Sequence, residues 1–126
     1  MIKLEDRNTI YFDVDHTLVM YDLPDDIMES KGIITYCHNH KELVVPHDEH
    51  IKMLKDCHNA KQVVVVWSQR GSDWCETVVD LLGLREYVDL CVTKPQWYVD
   101  DCMVTDFMPH SSRIYRPYAR SSDPSN

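Results

Sequence analysis

A single α/β domain, with a small parallel sheet flanked by helices, is the fold class that three observations predict. Two short β-branched and aromatic runs, Thr9 to Val14 and Val63 to Trp67, read as buried strands. Between and after them apolar residues recur at helical spacing. The resulting order of strand, crossover, strand, helix, strand is that of parallel strands with helices packed on their faces. Finally, 126 residues that are 44% hydrophobic supply one core and leave no room for a second.

The elements follow in order. Ile33 to Tyr36 and Glu42 to Val45 flank a polar stretch, with Gly32 before and Pro46 after, which predicts a β-hairpin. Pro46 is expected to open a helix whose apolar positions Ile51, Leu54 and Cys57 share one face and which ends near Asn59. Cys75, Val78, Val79 and Leu82 make the buried face of a second helix from Asp73, and Gly83 stops it. Tyr87 to Val92, Trp97 to Val99 and Arg113 to Tyr115 read as further strands. Residues 1–115 then form the domain. The stretch from Arg116 to Asn126, with Pro117, Pro124 and three Ser, reads as a disordered tail.

Composition narrows the class. Thirteen Lys and Arg against 21 Asp and Glu give a net charge of −8, which argues against tight, sequence-blind binding to nucleic acid. A nucleotide or a strand end remains a possible substrate. The longest apolar run, Val63 to Trp67, is far too short for a membrane span. Met1 to Arg7 is broken by charges and is not a secretory signal. Five Cys without a Cys-x-x-Cys pair suggest a reduced, cytoplasmic setting.

Four short motifs fall where the strands end: Phe12-Asp13-Val14-Asp15-His16-Thr17-Leu18, Val66-Trp67-Ser68-Gln69-Arg70-Gly71, Lys94, and Tyr98-Val99-Asp100-Asp101, with Asp106 shortly after. Parallel sheets bind ligands at this carboxyl edge. Asp13, Asp15, Asp100 and Asp101 gathered there would repel one another unless a cation or a proton relieved them. Hard oxygen ligands without His or Cys favour Mg²⁺. Lys94 adds a compact positive charge and Ser68 a hydroxyl for a phosphoryl oxygen. A carboxylate nucleophile, a second carboxyl for proton transfer, a metal and a lysine together suit phosphoryl transfer.

The series Asp-x-Asp-x-Thr, Ser, Lys and Asp-Asp, in this order and each near a strand, resembles the haloacid dehalogenase (HAD) superfamily, and within it the Mg²⁺-dependent phosphatases. It is similar to the compact HAD-like hydrolases encoded by bacteriophages, over roughly Thr9 to Tyr115. The resemblance implies a Rossmann-like fold with a β-hairpin flap after the first motif and no cap domain. It implies that Asp13 attacks phosphorus and becomes an aspartyl-phosphate, while Asp15 serves as general acid and then base. Thr17 would brace the loop. Ser68, with backbone amides near Val14, Asp15 and Gln69, would hold the phosphoryl oxygens, and Lys94 would bridge Asp13 and the phosphate. Mg²⁺ would take the Asp13 carboxylate, the Asp15 carbonyl and one of Asp100 and Asp101. We favour Asp101 as the ligand with Asp100 orienting Lys94, because neighbouring strand residues point opposite ways. Asp106 would sit behind these ligands. The expected activity is a phosphomonoesterase acting on a nucleotide or other small phosphate ester. The alternatives are a polynucleotide end-processing phosphatase and a non-catalytic module that binds a protein partner.

Taken singly, each feature has a plainer explanation. Asp13-x-Asp15 alone would be an exposed turn, Lys94 a solvated side chain and Asp100-Asp101 a loop start; only the joint pattern raises them. His38, His40, His47, His50 and His58, with Cys37 and Cys57, form a cluster that suggests zinc. Without tight knuckle spacing it reads better as a hairpin turn followed by a solvated helix face. Trp67, Trp74 and Trp97 read as packing residues rather than a base-stacking platform. Arg70, Arg113, Arg116 and Arg120 offer a local basic rim.

Overall fold

A computed structural model describes residues 8–118. Strand β1 (Thr9–Asp13) pairs in parallel with β5 (Val63–Ser68), which pairs in parallel with β6 (Leu90–Thr93), giving the order β1-β5-β6. The expected α/β class with a small parallel sheet flanked by helices is therefore observed. Helices α2 (Asp48–Asn59) and α3 (Ser72–Leu81) cover one face of this sheet. Phe12, Val64 and Val66 on that face pack with Leu54 of α2 and with Trp74, Val78 and Val79 of α3. The other face carries Tyr11, whose ring lies 4.4 Å from that of Trp67, and the exposed Leu90.

The crossover from β1 to β5 is fuller than a hairpin. It contains β2 (Val19–Met20), α1 (Asp25–Lys31), β3 (Ile33–Cys37) and β4 (His40–Pro46) before α2 begins. The hairpin turns at His38 and Asn39, both with left-handed backbone (φ 50° and 67°), as a two-residue loop between twisted strands requires. Its second strand also pairs with β2, Val19 opposite Pro46 and Met20 opposite Val45, so the flap is stitched to the loop that follows β1. The short elements β2 and α1 carry too few residues for a periodic signal. The satellite cluster of Met20, Ile27 and Val45 makes them fold.

Pro46 ends β4 instead of opening α2; His47 is the cap, its Nδ1 accepting the His50 N–H. His47 and His50 are buried, which corrects the solvated helix face expected for them. His50 sits one turn before Leu54 on the same inward stripe.

After β6 the sheet stops. Trp97 to Val99 and Arg113 to Tyr115 form no ladder, contrary to expectation. Pro95 has no N–H to donate, and Trp97 and Val99 stand almost fully exposed. The stretch Tyr87 to Val92 divides into a 3-10 turn at Arg85–Tyr87 and β6. At the chain's end, Arg116 and Tyr118 lie against the domain, where composition predicted a tail. Residues 119–126 of that expected tail, Arg120 included, lie outside the described residues. Among the described residues no helix is long and apolar enough to cross a membrane.

Candidate active site

The carboxyl ends of the three parallel strands lie side by side. Asp13 pairs with Trp67 and Ser68 with Thr93, and the Lys94 N–H donates to the Ser68 carbonyl at 2.9 Å. Beyond β1 the chain winds tightly. The amides of Thr17, Leu18 and Val19 all point to the Val14 carbonyl, at 3.2, 2.9 and 3.1 Å, and His16 takes a left-handed conformation (φ 65°) to allow it. This winding brings Thr17 back over Asp13, where Thr17 Oγ1 donates to Asp13 Oδ2 at 3.3 Å. Across the sheet edge, Lys94 Nζ lies 4.0 Å from Asp13 Oδ1 and 5.2 Å from the Trp67 ring centre. Asp13, Thr17, Ser68 and Lys94 are thus gathered at one edge.

Ser68 is buried, and its Oγ accepts the Arg70 N–H at 3.0 Å, so its hydroxyl proton is left for another acceptor. The Asp15 and Gln69 amides donate to no acceptor among the described residues. Beneath the strand ends, burial pushes the Cys75 thiol up to about 12, with Cys91 and Asp13 adding to the effect.

Asp15 has a different environment, one that sequence reasoning did not anticipate. Its Oδ1 accepts the Tyr21 hydroxyl at 2.7 Å and the Trp74 indole N–H at 2.9 Å, while Arg70 lies 3.7 Å from Oδ2. Burial, followed by the Asp15 hydrogen bond and its charge, raises the Tyr21 hydroxyl far above its ordinary range, so it remains a donor. Arg70 stacks over the Trp74 ring at 4.1 Å and donates to Glu42 of β4 at 2.7 Å. Burial works against its charge, but Glu42 and Asp15 outweigh it and hold the guanidinium above its ordinary value. Trp74 is therefore both a packing residue and a donor. Arg70 belongs to this site, beyond the rim role that sequence suggested. A second tie, His38 to Asp73 at 2.8 Å, fastens the hairpin tip to the start of α3. Tyr21, Glu42, Arg70 and Trp74 lie on four separate segments. The one clue in the sequence was that a carboxylate beside an apolar loop must find donors.

The remaining acidic residues of the motifs follow β6 in the chain. Among the described residues, the one group of three metal-ligating side chains within 4.8 Å of one another is Asp100, Asp101 and Cys102, largely exposed. Asp13 and Asp15 do not belong to that group. The chain leaves the sheet after Lys94, so Asp100 and Asp101 sit in a loop and not at a strand end. Hydrogen bonds from Asp101 and from the Cys102 amide and thiol hold the Asp100 carboxyl below its usual range. Asp106 sits in the short helix α4 (Val104–Phe107) and caps it, accepting the Met103 N–H at 3.0 Å. For a hard cation the Asp13 carboxylate and the Asp15 carbonyl are suitable oxygens, and the latter accepts no hydrogen bond among the described residues. The ring nitrogens of His47 and His50 are all engaged in hydrogen bonds, which leaves neither a free nitrogen for zinc.

Compared with known proteins, the chain matches no family model, no curated protein and no solved structure.

Proposed function

We propose that the chain is a phosphomonoesterase of the HAD kind that works through an aspartyl-phosphate on Asp13, with a nucleotide or another small phosphate ester as substrate. The observation that carries this reading is the company of Asp13: a threonine donor on one oxygen and a lysine facing the other, at the carboxyl edge of a parallel sheet. In this reading an Asp13 oxygen attacks phosphorus in line as the bond to the ester oxygen breaks. For this step Asp15 first takes up a proton on Oδ2, the oxygen that Tyr21 and Trp74 leave free, and gives it to that leaving oxygen. It then takes one from the water that cleaves the aspartyl-phosphate, releasing inorganic phosphate. Lys94 screens the approach of the two anions. The Ser68 hydroxyl and the Asp15 and Gln69 amides are the donors available to the phosphoryl oxygens. Mg²⁺, when bound through the Asp13 carboxylate and the Asp15 carbonyl, supplies further neutralisation of charge.

The test is release of p-nitrophenol from p-nitrophenyl phosphate in the presence of Mg²⁺, run beside Asp13→Asn. The expected result is turnover by the parent that is lost both in the variant and on chelation of the metal. Equal release from the two proteins, or none from the parent at any pH at which it stays folded, overturns the proposal.

A further inference from the structure

His47 and His50 are buried, at 1% and 2% exposure, and their rings stack with centres 3.9 Å apart and 17° between planes. Backbone donors define the proton positions on both rings. The Arg116 N–H donates to His50 Nε2 at 2.8 Å, so this nitrogen carries a lone pair and the ring proton sits on Nδ1. From there it is donated to the Thr17 carbonyl at 2.8 Å. The His50 N–H in turn donates to His47 Nδ1 at 3.3 Å, which leaves the His47 proton on Nε2, donated to the Arg116 carbonyl at 2.7 Å. Both rings are neutral, and together they hold both polar ends of residue 116 together with the loop that carries Thr17. Tyr115 adds a parallel tie, its hydroxyl donating to the His16 carbonyl at 3.0 Å.

We propose that this neutral histidine pair is a proton-releasable clasp that fastens residues 115–118 to the loop after β1 and so positions Thr17 over Asp13. A proton added to His50 goes to Nε2, where it meets the Arg116 N–H head-on. This replaces an accepted hydrogen bond by two opposed donors at a ring only 2% exposed. The ionisable and charged groups facing His50 are His47 and Glu49 on its own helix, and Arg116 and Tyr115 on the strap. Burial first, then His47 and Arg116, lower its affinity for a proton, while the Thr17 carbonyl and Glu49 work the other way; the net direction is down. The unfolded chain therefore binds this proton more readily than the folded one. The clasp is complete above about pH 6.5, the ordinary histidine value, and weakens as pH falls from there through the lowered folded value.

Amide exchange tests this without reference to enzymatic activity, so failure of the phosphatase reading and failure of the clasp are separable. In the uniformly labelled full chain, protection of the Arg116 amide is measured against its intrinsic rate from neutral to mildly acidic pH. We expect protection to fall about tenfold or more as His50 charges, while the core amides of Val64 and Val66 stay protected. In His50→Gln, whose side-chain oxygen accepts at the place of Nε2 and does not titrate, that step should vanish. A step that persists unchanged in His50→Gln, or one in which the core amides fall equally, overturns the proposal. Ring nitrogen shifts of the parent decide the matter even if the variant does not fold: a charged His50 with Arg116 still protected refutes the clasp.

Discussion

The anchoring of Asp15 makes a quantitative prediction. Trp74 is 1% exposed, its Nε1 donates to Asp15 Oδ1 at 2.9 Å, and the Arg70 guanidinium lies 4.1 Å over its ring. Trp74→Phe keeps an aromatic face in the core but deletes the donor and part of the ring. Loss of a hydrogen bond to a charged acceptor costs about 1.5–3 kcal/mol. A poorer cation–π contact costs about 0.5 kcal/mol, since this site is partly open. The missing ring atoms leave a void worth about 1 kcal/mol. The expected loss is therefore about 3–4.5 kcal/mol of unfolding free energy, read from the urea midpoint at constant slope. Tyr21→Phe removes the second donor to the same oxygen. The double variant should cost less or more than the two singles combined, because the donors share one acceptor. A Trp74→Phe loss below about 1 kcal/mol, with strict additivity in the cycle, would refute the claim that these donors hold the carboxylate.

Three further outcomes are expected. Asp15→Asn should slow turnover of p-nitrophenyl phosphate by about 10²–10⁴, and a rate within twofold would remove its role in proton transfer. Leu54→Ala, which empties a fully buried position between α2 and the sheet, should cost about 2–5 kcal/mol in the same denaturation assay. The Cys75 thiol, pushed up to about 12 by burial, should escape iodoacetamide at mildly alkaline pH in the folded protein and react once it is denatured, as peptide mass analysis would show.

Much of the site could be read directly from residue order. Asp13, Ser68 and Lys94 each close or follow a strand-forming run, and residues at the ends of neighbouring parallel strands must meet at one edge, so local pattern and topology lead to the same place. The strand expected through Trp97 to Val99 did not form, so Asp100 and Asp101 follow a loop and not a strand end. A three-residue apolar run after Pro95 has the composition of a strand but finds no partner edge, and a strand exists only as part of a ladder. Asp106 shows a related ambiguity: an acidic residue at the third position of a short helix serves as a cap, with spacing indistinguishable from a ligand's.

Amino-acid order alone determined the class of fold, the two long helices, the central strand and the edge at which Asp13 and Lys94 meet, because hydrophobic period is a local property of the chain. Only tertiary packing decided what surrounds Asp15 and what the histidines do. Tyr21, Arg70 and Trp74 reach one carboxylate from three segments, and His47 and His50, polar by composition, are buried because residue 116 and the Thr17 carbonyl complete their hydrogen bonds. Whether a polar side chain is buried depends on partners remote in sequence, and no periodicity encodes them.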